Sequence, residues 1–335
     1  MEINKKYPLV SVCTPTYNRR PFIPIMIQCF KNQTYPRDRM EWIIVDDGTD
    51  SIETLIKEYN IPQIKYYRVE EKMTLGEKRN YMHKKTKGTY IVYMDDDDYY
   101  PPERVSHAIS KLQNNPFSMI AGCSKLYIYF NRTSQMVQFG PYGENHATAA
   151  TFAFRKSLLY ETQYDDLACL AEERTFLKDY TIRMVQLNPL KTILVFAHTH
   201  NSVNKYDLLK NPIASHIVSD LKVHDFIRKK EEIMIYDFFT NHMNGLLDSY
   251  SLGDPKKKKD VLQYLHVMKQ ERSNIQNVMH ANIPKIKIMS KEGVQEIGLQ
   301  EVVNILDTQQ KEIYILRRKL YYLEHENASL RNILG

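Results

Sequence analysis

Four consecutive aspartates, Asp95-Asp96-Asp97-Asp98, directly follow the apolar run of residues 90–94. Packing like charges at the end of a buried strand is costly unless a positive charge sits among them. Two readings fit, a solvated acidic loop and a divalent-cation site. A hard cation such as Mg²⁺ takes one or two carboxylates and completes its shell with waters and phosphate oxygens. Held that way it bridges a diphosphate and neutralises the charge that grows as that group departs. Two more polar clusters close strand-like runs, Thr14-Pro15-Thr16-Tyr17-Asn18-Arg19 and Asp46-Asp47-Gly48. Any one of them is explained by a loop. Three at successive strand ends point to a shared site, because parallel α/β sheets bind ligands in the crevice outside the carboxyl ends of their strands, above all where strand order reverses.

The elements that would position these clusters follow from periodicity. The first two hundred or so residues alternate short β-rich runs with helical patterns, which predicts an α/β fold with a mostly parallel, Rossmann-like sheet flanked by helices. Strands are expected at 9–14, 42–45, 64–69, 90–94 and 192–197. Helices are expected at 22–32, with Phe22, Met26 and Phe30 on one face, and at 77–86, with Gly88 as the stop. Asp50 and Glu53 have the spacing of a capping box that opens another helix. Beyond Asn204 the chain turns helical and loses its strand runs. Asp254-Pro255 and the run Lys256-Lys257-Lys258-Lys259 mark a turn or linker, and a solvated loop is the ordinary meaning of such a charge run.

The end of the chain carries a heptad: Leu299, Val302, Leu306, Gln309, Ile313, Leu316, Leu320, Leu323, Asn327, Leu330 and Leu334. With Leu299 at position a, Asn327 falls at an a position, where a buried amide favours a parallel dimer. The pairs Glu312 with Arg317, Lys319 with Glu324 and Glu326 with Arg331 would then all be attractive across the seam. Gln309 at d weakens it and keeps a trimer open. The expected organisation is therefore an α/β domain over 1–205, a helical accessory region over 206–298 and a coiled-coil oligomerisation segment over 299–335.

The motifs Val10-Ser11-Val12-Cys13-Thr14-Pro15-Thr16-Tyr17-Asn18-Arg19, Val45-Asp46-Asp47-Gly48-Thr49, Lys78-Arg79-Asn80 and Tyr93-Met94-Asp95-Asp96-Asp97-Asp98 resemble, in order and spacing, those of family 2 glycosyltransferases. The resemblance covers roughly residues 7–205, and four ordered motifs make it more specific than any one. It implies a GT-A fold and an inverting transfer from a nucleotide-sugar. By the same resemblance Thr14, Thr16, Asp46 and Asp47 would line the base and ribose pocket, and Arg79 would reach the base or the diphosphate. Asp95 would face the ribose and Asp97 the metal, with Asp96 open as an alternative.

Leu170-Ala171-Glu172-Glu173-Arg174 resembles the family's acidic pair, which supplies the base that deprotonates the acceptor hydroxyl. The family usually has Glu-Asp there; Glu-Glu lengthens the candidate by one methylene. Glu173 is the expected base and Glu172 the alternative, while an acid pair at a helix N-terminus is the plain structural reading. His198-Thr199-His200-Asn201 resembles the family's late histidine loop, which makes His198 a candidate metal ligand beside Asp95 and Asp97. Mn²⁺ accepts an imidazole more readily than Mg²⁺ does, so either ion is the expected cofactor.

Composition sets the limits. The 335 residues suffice for roughly two domains, and 43% of them are apolar with a net charge of +6. That modest charge does not argue for nucleic-acid binding. Four cysteines without a C-x-x-C pair suit buried thiols in a reducing compartment. No apolar run reaches membrane-spanning length and the first residues do not form a signal peptide, so a soluble protein of the cytoplasm is expected, a host's cytoplasm if the source is viral. No P-loop, zinc-type Cys/His spacing or Gln-x-x-Arg-Trp motif occurs. The expected activity is transfer of a single sugar from a nucleotide-diphosphate sugar, a UDP-sugar by preference, to an acceptor hydroxyl of a glycan or protein. The second hypothesis is a catalytically weak relative that acts as a scaffold through its coiled coil.

Overall fold

Continuous apolar runs become strands covered on both faces. The computed structural model describes residues 6–210, 215–281, 286–290 and 293–297, together with helical positions between 302 and 323. The first half alternates strand and helix: β1 (Val10–Thr16), α1 (Ile23–Lys31), β2 (Met40–Asp46), α2 (Glu53–Glu58), β3 (Ile64–Arg68), α3 (Leu75–Lys85) and β4 (Tyr90–Tyr93). Every residue of β1 and β2 is buried. Successive side chains point to opposite faces of a sheet, so Val12, Trp42, Ile44 and Val92 enter one apolar cluster. Cys13, Ile43, Val45, Ile91 and Tyr93 enter the other. Burial on both sides is why these strands read as unbroken apolar runs rather than as alternation.

After α4 (Arg104–Asn114) come the short strands β5 (Ile120–Gly122), β6 (Leu126–Phe130), β7 (Gln135–Phe139) and β8 (Ala153–Arg155), then α5 (Glu173–Phe176), β9 (Met184–Gln186) and β10 (Val195–Ala197). The main sheet runs β3-β2-β1-β4-β8-β5-β9. β3, β2, β1 and β4 are mutually parallel, whereas β8 lies antiparallel between β4 and β5. The mostly parallel α/β sheet expected from the sequence is thus present, and strand order reverses between β1 and β4. Their carboxyl ends carry the Thr14–Arg19 and Asp95–Asp98 motifs.

Local signals fared less evenly. The capping box expected from Asp50 and Glu53 is absent: Ile52 is the N-cap of α2 and makes no side-chain cap. Asp50 is held instead by Arg20, whose Nε donates to Oδ2 at 2.8 Å, and by Tyr250, whose hydroxyl donates at 2.7 Å. A forked guanidinium bond outcompetes a lone backbone N–H, and Ser51 Oγ accepts the Glu53 N–H in its place at 3.3 Å. Gly88 does not stop α3. It lets two backbones meet, since a Cβ there would lie 2.5 Å from Ser11 N.

The expected loss of strands beyond Asn204 needs correction. After α6 (Asp207–Lys210), β11 (His216–Val218) pairs with β7 and completes a second sheet, β10-β6-β7-β11. A three-residue strand is too short to show a period. Nor is 206–298 a separate body in its first part. α7 (Val223–Phe226), α8 (Ile233–Asp237) and α9 (Met243–Ser249) place Val223, Phe226, Ile235, Met243 and Leu247 in the same apolar cluster as Val12 and Trp42. α10 (Lys259–Ala281) follows, then the hairpin of β12 (Ile286–Ser290) and β13 (Gly293–Ile297).

The four cysteines are free and buried. Among the described residues no helix is long and apolar enough to cross a membrane. Of the heptad positions, Leu299, Asn327, Leu330 and Leu334 lie outside the described residues, while Leu306, Ile313, Leu316, Leu320 and Leu323 are exposed.

Candidate functional site

The ends of β1 and β4 border a cavity of about 160 Å³, lined by Thr16, Tyr17, Arg19, Lys78, Arg79 and Asp95 to Asp97, and also by Lys72, Lys258 and Asp260. The Thr14–Arg19, Lys78–Asn80 and Asp95–Asp98 motifs reach it directly, whereas Glu172, Glu173 and His198 do not line it. The Asp46-Asp47 turn reaches it only through what it holds.

Thr14 is turned away from the cavity. Its hydroxyl donates to Met94 O at 2.6 Å and accepts from Trp42 Nε1 at 2.9 Å, so it ties the end of β4 to β2. Asp46 is saturated by the N–H groups of Gly48 and Ile52 and by the Tyr66 hydroxyl at 2.9, 3.1 and 2.7 Å. Asp47 accepts from Met73 N at 2.7 Å and pairs with Lys78. Both acids are buried and neither lines the cavity. Asp47 acts on it by fixing Met73 and Lys78, which do.

The aspartate run divides by side. Asp98 turns inward and accepts from Phe196 N at 3.4 Å. Asp97 faces Arg19 Nη2 at 3.3 Å and His198 Nε2 at 3.2 Å. Burial pushes Asp97 up, but Arg19 and then His198 pull it well below the ordinary carboxylate range. Asp96, buried and beside ionised Asp97, is raised to about 7. Asp95 presents Oδ2 to Arg79 Nη2 at 3.6 Å and leaves Oδ1 buried without a partner.

Arg79 joins the two halves of the site. From the middle of α3 its Nε donates to Glu172 Oε1 at 2.8 Å, while its guanidinium lies over the Tyr93 ring at 4.4 Å. The next residue, Asn80, donates to Tyr164 O at 2.8 Å and so pins the loop that leads to the acid pair. Glu172 is the N-cap of α5 and makes no side-chain cap there; Glu173 is its first residue. Among the described residues no salt bridge reaches Glu173. Burial and the neighbouring Glu172 raise its pKa to about 7, close to the optimum for a base working near neutrality.

Whether these residues fit a divalent cation can be tested on their chemistry. Among the described residues no group of three or more His, Cys, Asp or Glu side chains is arranged to hold one. The bare Oδ1 of Asp95 and the ionised Asp97 nevertheless fit a hard cation that takes one or two carboxylates and finds its other ligands on water and phosphate. His198 is buried and burial lowers its pKa to about 4, so the ring is neutral. Its Nδ1 accepts from His200 N at 3.2 Å. Its Nε2 lies 2.8 Å from Asn201 Nδ2 and 3.2 Å from Asp97, so His198 stands against that carboxylate.

Sequence reasoning passed over Lys72, Lys258 and Asp260. Lys78 and Arg19 stood in quoted motifs without a role. The signal for Lys258 was a charge run, whose ordinary meaning is solvent.

The family model described as Glycosyl transferase family 2 matches residues 11–177. An uncharacterized glycosyltransferase of Haemophilus influenzae is 29% identical over 108 residues, 32% of this chain and 36% of that protein. A putative teichuronic acid biosynthesis glycosyltransferase of Bacillus subtilis is 32% identical over 101 residues, 29% of this chain and 39% of that protein. The matches thus span well under half of either relative. A crystal structure of Staphylococcus aureus TarS 1-349 in complex with UDP-GlcNAc is 19% identical, covers 56% of this chain and 58% of that chain, and has a TM-score of 0.46.

Proposed function

We propose, from the premise that residues 11–177 belong to glycosyl transferase family 2, that this protein transfers a single sugar from a nucleotide-diphosphate sugar, by preference a UDP-sugar, to an acceptor hydroxyl with inversion. The observation that carries the reading is the Arg79 bridge. One side chain on α3 holds an acid of the aspartate run and an acid of the Glu172-Glu173 pair, so the place for a diphosphate and the place for a base are built as one unit.

In this mechanism Glu173 takes the proton of the acceptor hydroxyl while its oxygen attacks the anomeric carbon. The bond to the nucleoside diphosphate breaks on the opposite face. Glu172 stays on Arg79 and keeps that guanidinium in place. Asp95 and Asp97 would hold Mn²⁺ or Mg²⁺, with His198, which stands against Asp97, as a further candidate ligand. When bound, the cation supplies charge neutralisation on the leaving diphosphate. Thr16 and Arg19 border the donor, and Asp46 and Asp47 shape its wall from behind.

General-base catalysis is worth roughly 10²–10⁴-fold. Glu173→Gln should lower kcat at least a hundredfold and leave UDP affinity, measured calorimetrically with Mn²⁺, within about twofold of wild type. Near-normal turnover in that variant would overturn the assignment. The scaffold reading gains nothing from Glu173, whose raised pKa suits catalysis. For partners, we propose that the exposed seam of Leu306, Ile313, Leu316, Leu320 and Leu323 is covered by a second copy of the chain in a parallel dimer, since among the described residues no part of its own chain buries it.

A further inference from the structure

The run Lys256-Lys257-Lys258-Lys259 is not uniformly solvated. Lys256, Lys257 and Lys259 are exposed, but Lys258 is only 7% exposed and lines the cavity between β1 and β4. Its ammonium lies 5.9 Å from the centre of the Tyr17 ring, around which Lys72 and Lys78 also gather at 5.0 and 5.8 Å. Two of these three cations are answered: Lys78 by Asp47 and Lys72 by Asp260. Lys258 donates to Ser202 Oγ at 3.2 Å. No carboxylate lies within salt-bridge distance of it among the described residues.

A buried ammonium without a counter-charge is costly. Burial, and next the charge of Arg19, bring the pKa of Lys258 down to about 7. The surrounding segment is nonetheless fixed firmly. Asn18 Nδ2 donates to Leu252 O at 3.1 Å, Tyr250 donates to Asp50 at 2.7 Å, and a Cβ on Gly253 would lie 2.6 Å from His200 Nδ1. Asp260 and Val261, in the first turn of α10, line the same cavity, and the Asp260 carboxylate accepts from the backbone at that helix start. A well-anchored strap therefore delivers to the cavity a cation that no carboxylate answers at salt-bridge distance, beside Arg19, Lys72, Lys78 and Arg79 of the same lining.

We propose that Lys258 is a diphosphate-binding residue of the donor site, and that the strap of residues 250–261, which lies beyond the family 2 domain, completes that site. The proposal rests on the nucleotide-sugar reading above, and its test separates the two. Full-length protein is titrated with UDP and with UMP in the presence of Mn²⁺, for wild type, Lys258→Met and Lys258→Arg, with Lys257→Met as the exposed control. The expected result is a loss of UDP affinity of at least tenfold in K258M, less than threefold for UMP, recovery to within threefold of wild type in K258R, and no change in K257M.

If wild type binds neither UDP nor GDP, the donor reading falls and takes this inference with it. If wild type binds UDP and K258M binds it equally, only the inference falls. Equal losses for UDP and UMP would also overturn it, since Lys258 would then support the pocket as a whole. Should K258M melt below the assay temperature, Lys258→Gln is carried through the same comparison.

Discussion

Glu172 and Glu173 are neighbours in sequence and opposites in surroundings. The first is held by Arg79, while the second sits in a poorly solvated place with a raised pKa of about 7. Below that value Glu173 holds a proton and cannot accept another. The expected kcat/KM therefore rises about tenfold per unit as pH increases toward 7 and levels off above it. The rising limb should vanish in E173Q, and a pH–rate profile of wild type beside the variant checks this. The linkage to stability runs the other way. A carboxyl whose pKa is raised on folding favours the folded state at low pH, and that contribution is lost as pH climbs through about 7; Asp96 shares this direction and value. Chemistry and stability thus pull the same groups apart. That Thr16, Arg79 and Asp95 to Asp97 share one cavity was legible in the motifs, but who touches whom was not. Thr14, Asp46 and Asp47 read as ligand-facing from the pattern, yet their polar atoms are taken by Trp42, Met94, Tyr66 and the backbone. Saturation of that kind depends on contacts up to 80 residues apart, which no local pattern encodes.

At the scale of elements, α3 does most of the organising. Thr74 caps it by accepting from Glu77 N, and Lys78, Arg79 and Asn80 then serve Asp47, the acid pair and the Tyr164 loop in turn. That arrangement requires the helix start to lie against the 165–168 backbone. Gly76 donates to Ala168 O at 2.9 Å, and a Cβ there would lie 1.9 Å from Asp165 O. Gly76→Ala should destabilise the fold by about 1–3 kcal/mol as an overpacked contact, read as a lower urea midpoint. It should lower turnover as well, because the acid pair rides on the displaced loop. The glycine itself was visible in the sequence, but its partner was not. Strands β1, β2 and β4 were legible because burial on both faces writes a continuous apolar run. The cap of α2 was misread because Asp50 has a stronger partner in Arg20, thirty residues away.

The whole molecule is less divisible than its composition suggests. Helices beyond residue 205 fill the same core as the first strands. A chain ending at 205 should therefore aggregate or remain unfolded, whereas one ending at 298 should stay folded and bind UDP. Under the dimer proposal the 1–298 protein elutes as a monomer and the full chain as a dimer; light scattering on both decides it. The heptad is read from the sequence alone, since a period of seven needs no tertiary knowledge. The shared core was not, because short helices such as Val223–Phe226 carry too few residues to announce which face they bury.

The strap also places a clock on the making of this protein. Asn18 and Leu252 touch across 234 positions of chain. At synthesis rates of roughly 5–20 residues per second, roughly ten to fifty seconds separate the appearance of the first from that of the second. In the last part of that interval, once residue 173 has been made, the nascent chain carries its aspartates and its acid pair but not Lys258. An unfinished copy still on the ribosome cannot grip a nucleotide as the finished one would. On the proposed reading, the chain up to Lys258 thus acts as a proof of completeness, and a product truncated before that residue would be inert.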